Sequence, residues 1–297
     1  MLSSWRNNLP SSKPELWQNV PNALRRRLVA WVSNKVDPGW GWRPLLATIE
    51  PDGLLLEVLP QEIGSRSIVY YGIYEYAPTQ LVRSFLRPGD TFVDVGANIG
   101  YYSVVASALV GPRGRVVAFE PSARVRERLV RSASLNGFSQ LEIRAEAVGA
   151  TSGMLTLVEP ESENQGLGFT TDDASAAGLR VRAVRLDDEP FAGSPVALVK
   201  VDIEGGESAV FEGARALLSR DDAPAILFES FQLERDRRLL DELGYDIYAP
   251  CLTGGKLGLR RALGAGSGYR AWEAPNYFAV RSRRGREFCA GLLVAVP

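Results

Sequence analysis

The chain has 297 residues, 45% hydrophobic and 23% charged, with a formal net charge of −1. These values allow a sizeable core, exclude global disorder, and give no electrostatic reason to expect nucleic acid as the main partner. There is no histidine, so the commonest general base and metal ligand is absent and proton transfer falls to Asp, Glu, Tyr, Lys, Cys or the substrate itself. Two cysteines, Cys251 and Cys289, make no disulfide framework and cannot alone bind zinc. The N-terminus lacks a signal-peptide pattern, and no apolar run approaches the roughly 20 residues a membrane helix needs. A cytoplasmic protein without a transmembrane segment is expected.

Residues 1–42 form a tryptophan-rich extension carrying Trp5, Trp17, Trp31, Trp40 and Trp42. Within it, Leu24, Leu28, Val29 and Val32 recur near helical spacing among Arg25, Arg26 and Arg27. A helical cap on the main domain is the plain reading; a lid over an acceptor pocket and a membrane-surface helix are the alternatives. The main domain, residues 43–297, opens with Leu45–Glu50 and Leu54–Leu59 around Pro51-Asp52-Gly53, which predicts a β-ribbon. Ser67–Tyr71 is expected to be extended and Thr79–Leu86 helical.

From Thr91 strands and helices alternate. Strands are predicted at Thr91–Val95, Arg115–Phe119, Leu141–Ala145, Val196–Ile203 and Ala225–Phe228. Helices are predicted at Tyr101–Leu109, Ser122–Leu135, Glu207–Leu218 and Leu233–Leu243, and Asp246–Ala249 and Tyr277–Arg281 complete the sheet. The rhythm predicts an α/β, Rossmann-like fold with a mainly parallel seven-stranded sheet and helices on both faces. Residues 149–195 interrupt it with Met154–Val158 and Leu179–Leu186, an inserted β segment beside the third strand. That insert is either a pocket wall or a plain surface hairpin. The basic cluster Arg281–Arg286 is expected to be a solvated face.

The sharpest motif is Thr91-Phe-Val-Asp94-Val-Gly96-Ala-Asn98-Ile-Gly100, joining a strand to a helix. Gly96 allows a tight turn close to a ligand, and Gly100 is expected to let the helix approach the strand. The spacing is G-x-x-x-G, not the G-x-G-x-x-G of dinucleotide sites. Asp94 suits a ligand with an ammonium group, such as the methionine end of S-adenosylmethionine. Glu120, after the second strand, can accept from both ribose hydroxyls, and Glu146, after the third, from an adenine amino group. The bland alternative is that each acid merely caps the following helix. In the fourth strand, alternation places Lys200, Asp202 and Glu204 on one face and Val199, Val201 and Ile203 on the other. Burying such a row is costly. Either it works, or Lys200 simply pairs with Asp202 while Glu204 and Glu207 meet a helix N-terminus.

Gly72-x-Tyr74-Glu75, Asp94–Gly100, Phe119-Glu-Pro121 and Lys200–Glu207 together resemble the FkbM family of methyltransferases, over about Leu45 to Val280. The resemblance implies a class I methyltransferase fold, S-adenosylmethionine as cofactor, and methylation of a hydroxyl on a small molecule, sugar or natural product. With the reading above, it assigns Glu75, Asp94, Gly96, Ala97, Asn98, Gly100, Tyr101, Glu120, Pro121, Glu146, Ala147 and Asp202 to the cofactor. Lys200, Asp202 and Glu204 stand at the reaction centre, with the base in the Asp202–Glu204 pair, and Glu207 and Glu229 near the acceptor. No metal site is assigned; Mg²⁺ on Asp202, Glu204 and Glu229 is a second possible route. The rivals are a non-catalytic S-adenosylmethionine-binding scaffold, which the intact acidic row opposes, and an NAD-dependent oxidoreductase, which the glycine spacing opposes.

Overall fold

The computed structural model describes residues 44–60, 62–159, 168–191, 195–262 and 275–294; the tryptophan-rich extension lies outside them. The Pro51-Asp52-Gly53 turn joins β1 (Leu45–Ile49) to β2 (Leu54–Val58) in the expected antiparallel ribbon. Ser67–Tyr71 is not extended: it belongs to helix α1 (Ile63–Tyr71). Val69, Tyr70 and Tyr71 favour strands, but Ser65 and Ile68 turn inward at helical spacing, each 2% exposed. Gly72 then stops the helix in a left-handed conformation, donating its N–H to the Ile68 carbonyl. Helix α2 (Tyr76–Phe85) starts earlier than predicted because Pro78 is tolerated in a first turn.

β3 (Thr91–Val95), α3 (Tyr101–Val110), β4 (Arg115–Phe119), α4 (Ala123–Asn136) and β5 (Leu141–Arg144) follow the predicted rhythm. Ser122 caps α4 and a left-handed Gly137 ends it. The insert is more than a hairpin. β6 (Ala147–Val148), β7 (Gly153–Val158), β8 (Phe169–Thr171) and β9 (Leu179–Val184) form a second sheet in the order β6-β9-β7-β8. β10 (Val196–Val201) ends before the predicted Ile203. The helix expected over Glu207–Leu218 is two, α5 (Glu207–Gly213) and α6 (Arg215–Ser219). The break falls where Gly213 presses on the insert: a Cβ there would lie 2.0 Å from the Gly149 carbonyl oxygen.

β11 (Ala225–Glu229), α7 (Leu233–Glu242), β12 (Asp246–Thr253), β13 (Lys256–Arg261), β14 (Asn276–Val280) and α8 (Arg283–Ala290) complete the described chain. β13 was not predicted; Gly254 and Gly255, at φ +56° and +78°, fold it back on β12. The basic cluster is not simply solvated. Arg284 reaches Asp90 at 2.5 and 2.8 Å and covers the Phe85 ring.

The main sheet runs β13-β12-β14-β11-β10-β3-β4-β5, with β14 antiparallel to both neighbours. It is the mainly parallel sheet of the class I methyltransferase fold, with eight strands instead of seven because β13 extends one edge. Alternate strand residues serve two cores: Phe92, Val116, Leu198 and Leu227 face α1–α4, while Val93, Val117, Val199 and Ile226 face α5–α7. The strand order reverses between β3 and β10. Ligands of such sheets bind beyond the strand C-termini at that point.

A buried ion pair ties α1 to α4. Arg128 forks onto Glu62 at 2.7 and 2.8 Å, both side chains buried, and Ser65 Oγ donates to the same carboxylate. Removing one partner strands the other charge, at a cost of about 3–5 kcal/mol. Glu62→Leu and Arg128→Met should each lower the urea unfolding midpoint sharply, and the double variant should recover much of the loss. Simple addition of the two losses would show that the pair is not coupled.

Candidate active site

At the reversal point the chain encloses a cavity of about 440 Å³. Gly96 makes it possible. At φ +77° it turns the chain after β3, and a Cβ on it would stand 2.0 Å from the Asp202 carbonyl oxygen. The Gly96 and Ala97 N–H groups both bond the Phe119 carbonyl at 3.0 Å, and the Asp202 N–H bonds Val95. Three strand ends are thereby clamped around one turn. Any side chain at position 96 would push Asp202 away before it reached a ligand. Gly100 has a different partner from the one expected: its missing Cβ makes room for Leu129 of α4, 2.2 Å away, and not for a strand.

Gly96, Ala97, Asn98, Tyr101, Glu120, Pro121, Glu146, Ala147, Lys200, Asp202, Glu204 and Glu229 all line the cavity. Asp94, Glu75, Gly100 and Glu207 do not. Asp94 is 1% exposed, accepts from Ser103 Oγ at 2.6 Å and stands opposite Lys200 across the strand pair. It lies behind the cavity wall, bonded to α3. Burial raises its pKa; Lys200 and Ser103 oppose the rise.

Lys200 is the cation of the site. Its Nζ lies 2.9 Å from Asp202 Oδ2 and 4.8 Å from the centre of the Tyr102 ring. Burial works to lower its pKa, but Asp202, Asp94 and Glu75 overcome this and hold it above the ordinary lysine value. Glu75 adopts a left-handed backbone at φ +43° and is held by Tyr102 Oη at 2.9 Å and Asn276 Nδ2 at 2.8 Å. Its pKa is raised by burial and by Asp202.

Glu120 Oε2 accepts from the Asn98 N–H at 2.9 Å and Oε1 from the Ser122 N–H at 2.8 Å. Burial nevertheless pushes its pKa up to about 7. Glu146 behaves oppositely: Arg144, at 3.1 and 3.2 Å, lowers its pKa.

The carboxylate row departs from simple alternation. β10 ends at Val201, so Glu204 reaches the wall from a turn, in a left-handed conformation at φ +56°, and is largely exposed. Glu207 is 2% exposed and folds back to accept the Gly205 N–H at 3.1 Å, bracing that turn. Glu229, at the end of β11, has its pKa pushed up to about 8 by burial, Asp202, Glu75 and Glu204, against Lys200. Among the described residues no three Cys, Asp or Glu side chains are grouped to hold a metal ion.

A family model described as the methyltransferase FkbM domain matches residues 94–247, over half of the chain. The chain belongs to the FkbM methyltransferase family. Among solved structures, the methyltransferase FkbM from Methylobacillus flagellatus aligns at 16% identity and TM-score 0.41, over 69% of this chain and 53% of that one. A SAM-dependent O-methyltransferase from Thermotoga maritima aligns at 11% and 0.42, over 84% and 96%. Aeropyrum pernix fibrillarin, with natively bound S-adenosyl-L-methionine, aligns at 15% and 0.41, over 81% and 100%. No curated protein sequence matches the chain.

Several residues of this FkbM site escaped the sequence reading. Tyr74, Tyr102 and Phe231 line the cavity, Tyr102 and Asn276 hold Glu75 behind it, and Ser103 holds Asp94. Tyr102 and Ser103 lie just past the glycine turn, a usable signal; Asn276 carried none. The insert contributes Leu157, Gly168 and Thr170, and Ser122 Oγ bonds its Glu159. It therefore closes the Glu120 side of the cavity.

The Glu120 shift has a stability consequence. Its carboxyl titrates near 7 when folded and near 4.5 ordinarily, so folding favours the protonated form. That contribution is full below about pH 4.5 and is lost as pH rises through about 7. The unfolding free energy of the parent minus that of Glu120→Gln should fall across this window and level off above it. Urea titrations at several pH values test this; a flat difference would place Glu120 in an ordinary solvated setting.

Proposed function

We propose that the cavity binds S-adenosylmethionine and that the protein transfers its methyl group to a hydroxyl oxygen of a small molecule or glycan. The observation that carries this reading is Glu120 beside the Gly96–Asn98 turn. Each carboxylate oxygen already holds one backbone N–H, and of its roughly four acceptor positions about two remain for two ribose hydroxyls. The G-x-x-x-G spacing of the Gly96 turn, in place of the dinucleotide G-x-G-x-x-G, disfavours NAD. Charge supports the reading too. Among the described residues the wall carries Glu62, Glu120, Glu146, Asp202, Glu204 and Glu229 against Lys200, and S-adenosylmethionine brings a sulfonium and an ammonium. The cavity volume also suits a ligand of this size.

When bound, the cofactor supplies an electrophilic methyl group. The chain's own task is alignment and proton removal. Glu120 and the Gly96 turn fix the ribose side, and Lys200 holds Asp202 where β10 ends. Holding acceptor and methyl carbon in line can contribute several kcal/mol. A carboxylate takes the acceptor's proton, since the chain has no histidine. The unpaired cysteines Cys251 and Cys289 support a reducing compartment such as the cytoplasm. Among the described residues no helix is long and apolar enough to cross a membrane.

Calorimetric titration should show binding of S-adenosylmethionine and its demethylated product, and none of NAD. Glu120→Ala should weaken cofactor affinity roughly 10- to 100-fold and leave the saturated rate nearly unchanged, as expected for contacts remote from the methyl group. Labelled S-adenosylmethionine supplied with extracts of the producing cell should label a hydroxyl-bearing acceptor. Tight NAD binding without any response to S-adenosylmethionine would overturn the reading.

A further inference from the structure

We propose that Glu229, and not the Asp202–Glu204 pair, is the general base, and that the acceptor hydroxyl reaches it from a separate small chamber. The inference rests on the methyltransferase reading above. A second hollow of about 170 Å³ adjoins the cofactor cavity, and Asp202, Glu204, Glu229 and Phe231 line both. These four residues form the threshold between the two spaces. Phe231 is 73% exposed there and offers a flat apolar surface to an acceptor.

The other carboxylates around the threshold are committed. Asp202 Oδ2 accepts from Lys200 Nζ at 2.9 Å, so that oxygen is already occupied. Glu207 braces the turn at Gly205, and Asp236 accepts from Ser208 Oγ and, at 2.5 Å, from Ser230 Oγ. Glu75 is taken by Tyr102 and Asn276. Glu204 stands on a turn after β10 and is more open to water than Glu229, although burial and Asp202 raise its pKa as well. Glu229 remains. β14 fixes its backbone opposite Asn276, and the side chain is partly withdrawn from water between the two hollows. The charged groups around it are Asp202, Glu75, Glu204 and Lys200, with Glu207, Arg235 and Asp236 on the far wall of the chamber. Burial and the three nearest acids raise its proton affinity, placing its titration at about 8, where a base is effective near neutral pH.

In the step, the acceptor oxygen forms a bond to the methyl carbon as the carbon–sulfur bond breaks, its electron pair staying on sulfur. The hydroxyl proton moves to Glu229. The positive sulfur and the negative carboxylate both end neutral.

The test compares Glu229→Gln, Asp202→Asn and Glu204→Gln, using labelled S-adenosylmethionine with producing-cell extract as the acceptor pool. Glu229→Gln should keep cofactor affinity by calorimetry and lose roughly 10²- to 10⁴-fold in transfer rate, the loss shrinking as pH rises. Glu229→Asp, which keeps a carboxylate, should restore part of the rate. Independently of activity, carbon-13 NMR of the cofactor-free, glutamate-labelled parent should show a carboxyl titrating near 8 that disappears in Glu229→Gln. If the parent transfers methyl and Glu229→Gln matches it, or if no carboxyl titrates in that range, Glu229 is not the base. Failure of the parent to bind S-adenosylmethionine is a different result and would remove the methyltransferase reading itself.

Discussion

A buried ammonium at the point where the sheet reverses direction governs this site. Lys200 is 3% exposed, bonded to Asp202, paired across the sheet with Asp94, and seated over the Tyr102 ring. An unpaired charge in that position would be prohibitive. Removing only Lys200 would leave its carboxylates facing one another at close quarters. Through Lys200, β10 is linked to β3 and to the Glu75 corner before α2. Glu75 in turn is bonded to Asn276 on β14, far away in the chain.

From that arrangement follows a division of labour among the acids. Asp94 and Glu75 favour the charge on Lys200 electrostatically. Asp202 does so from the cavity side and is fixed by it. Glu207 and Asp236 are used in holding the turn after β10 and the start of α7. Glu120 keeps spare acceptor capacity on one side of the cavity, and Glu229 is partly withdrawn from water on the other. One type of side chain thus stands in very different settings according to its partners and its access to water. The absence of histidine makes this sorting necessary.

Much of the fold was legible because the determining interactions are local. Apolar runs of strand length and the Pro51-Asp52-Gly53 turn act within a few residues and appear where predicted, and the helix predicted from Ser122 is bounded as locally, by the Ser122 cap and Gly137. The errors lie where packing overrides propensity. Helix α1 is built from strand-favouring residues because Ser65 and Ile68 are drawn inward. The break between α5 and α6 comes from Gly213 pressing on Gly149.

The sequence by itself determined the alternating α/β architecture, the turn at Gly96, the acids at successive strand ends and membership of a methyltransferase family. Those properties depend on spacing along the chain, which the sequence records directly. Only the tertiary structure decided what each acid does. Alternation predicted a row of Lys200, Asp202 and Glu204, yet the strand ends at Val201 and Glu204 arrives by a turn. Asp94, placed by the sequence at the end of β3, is buried with Ser103 beside the cavity and is not part of its lining. Charge partnership and burial are set by side chains brought together from distant segments, such as Lys200 with Glu75, or Glu120 with the Asn98 N–H. A carboxylate's role depends on those neighbours, and no local pattern in the chain encodes them.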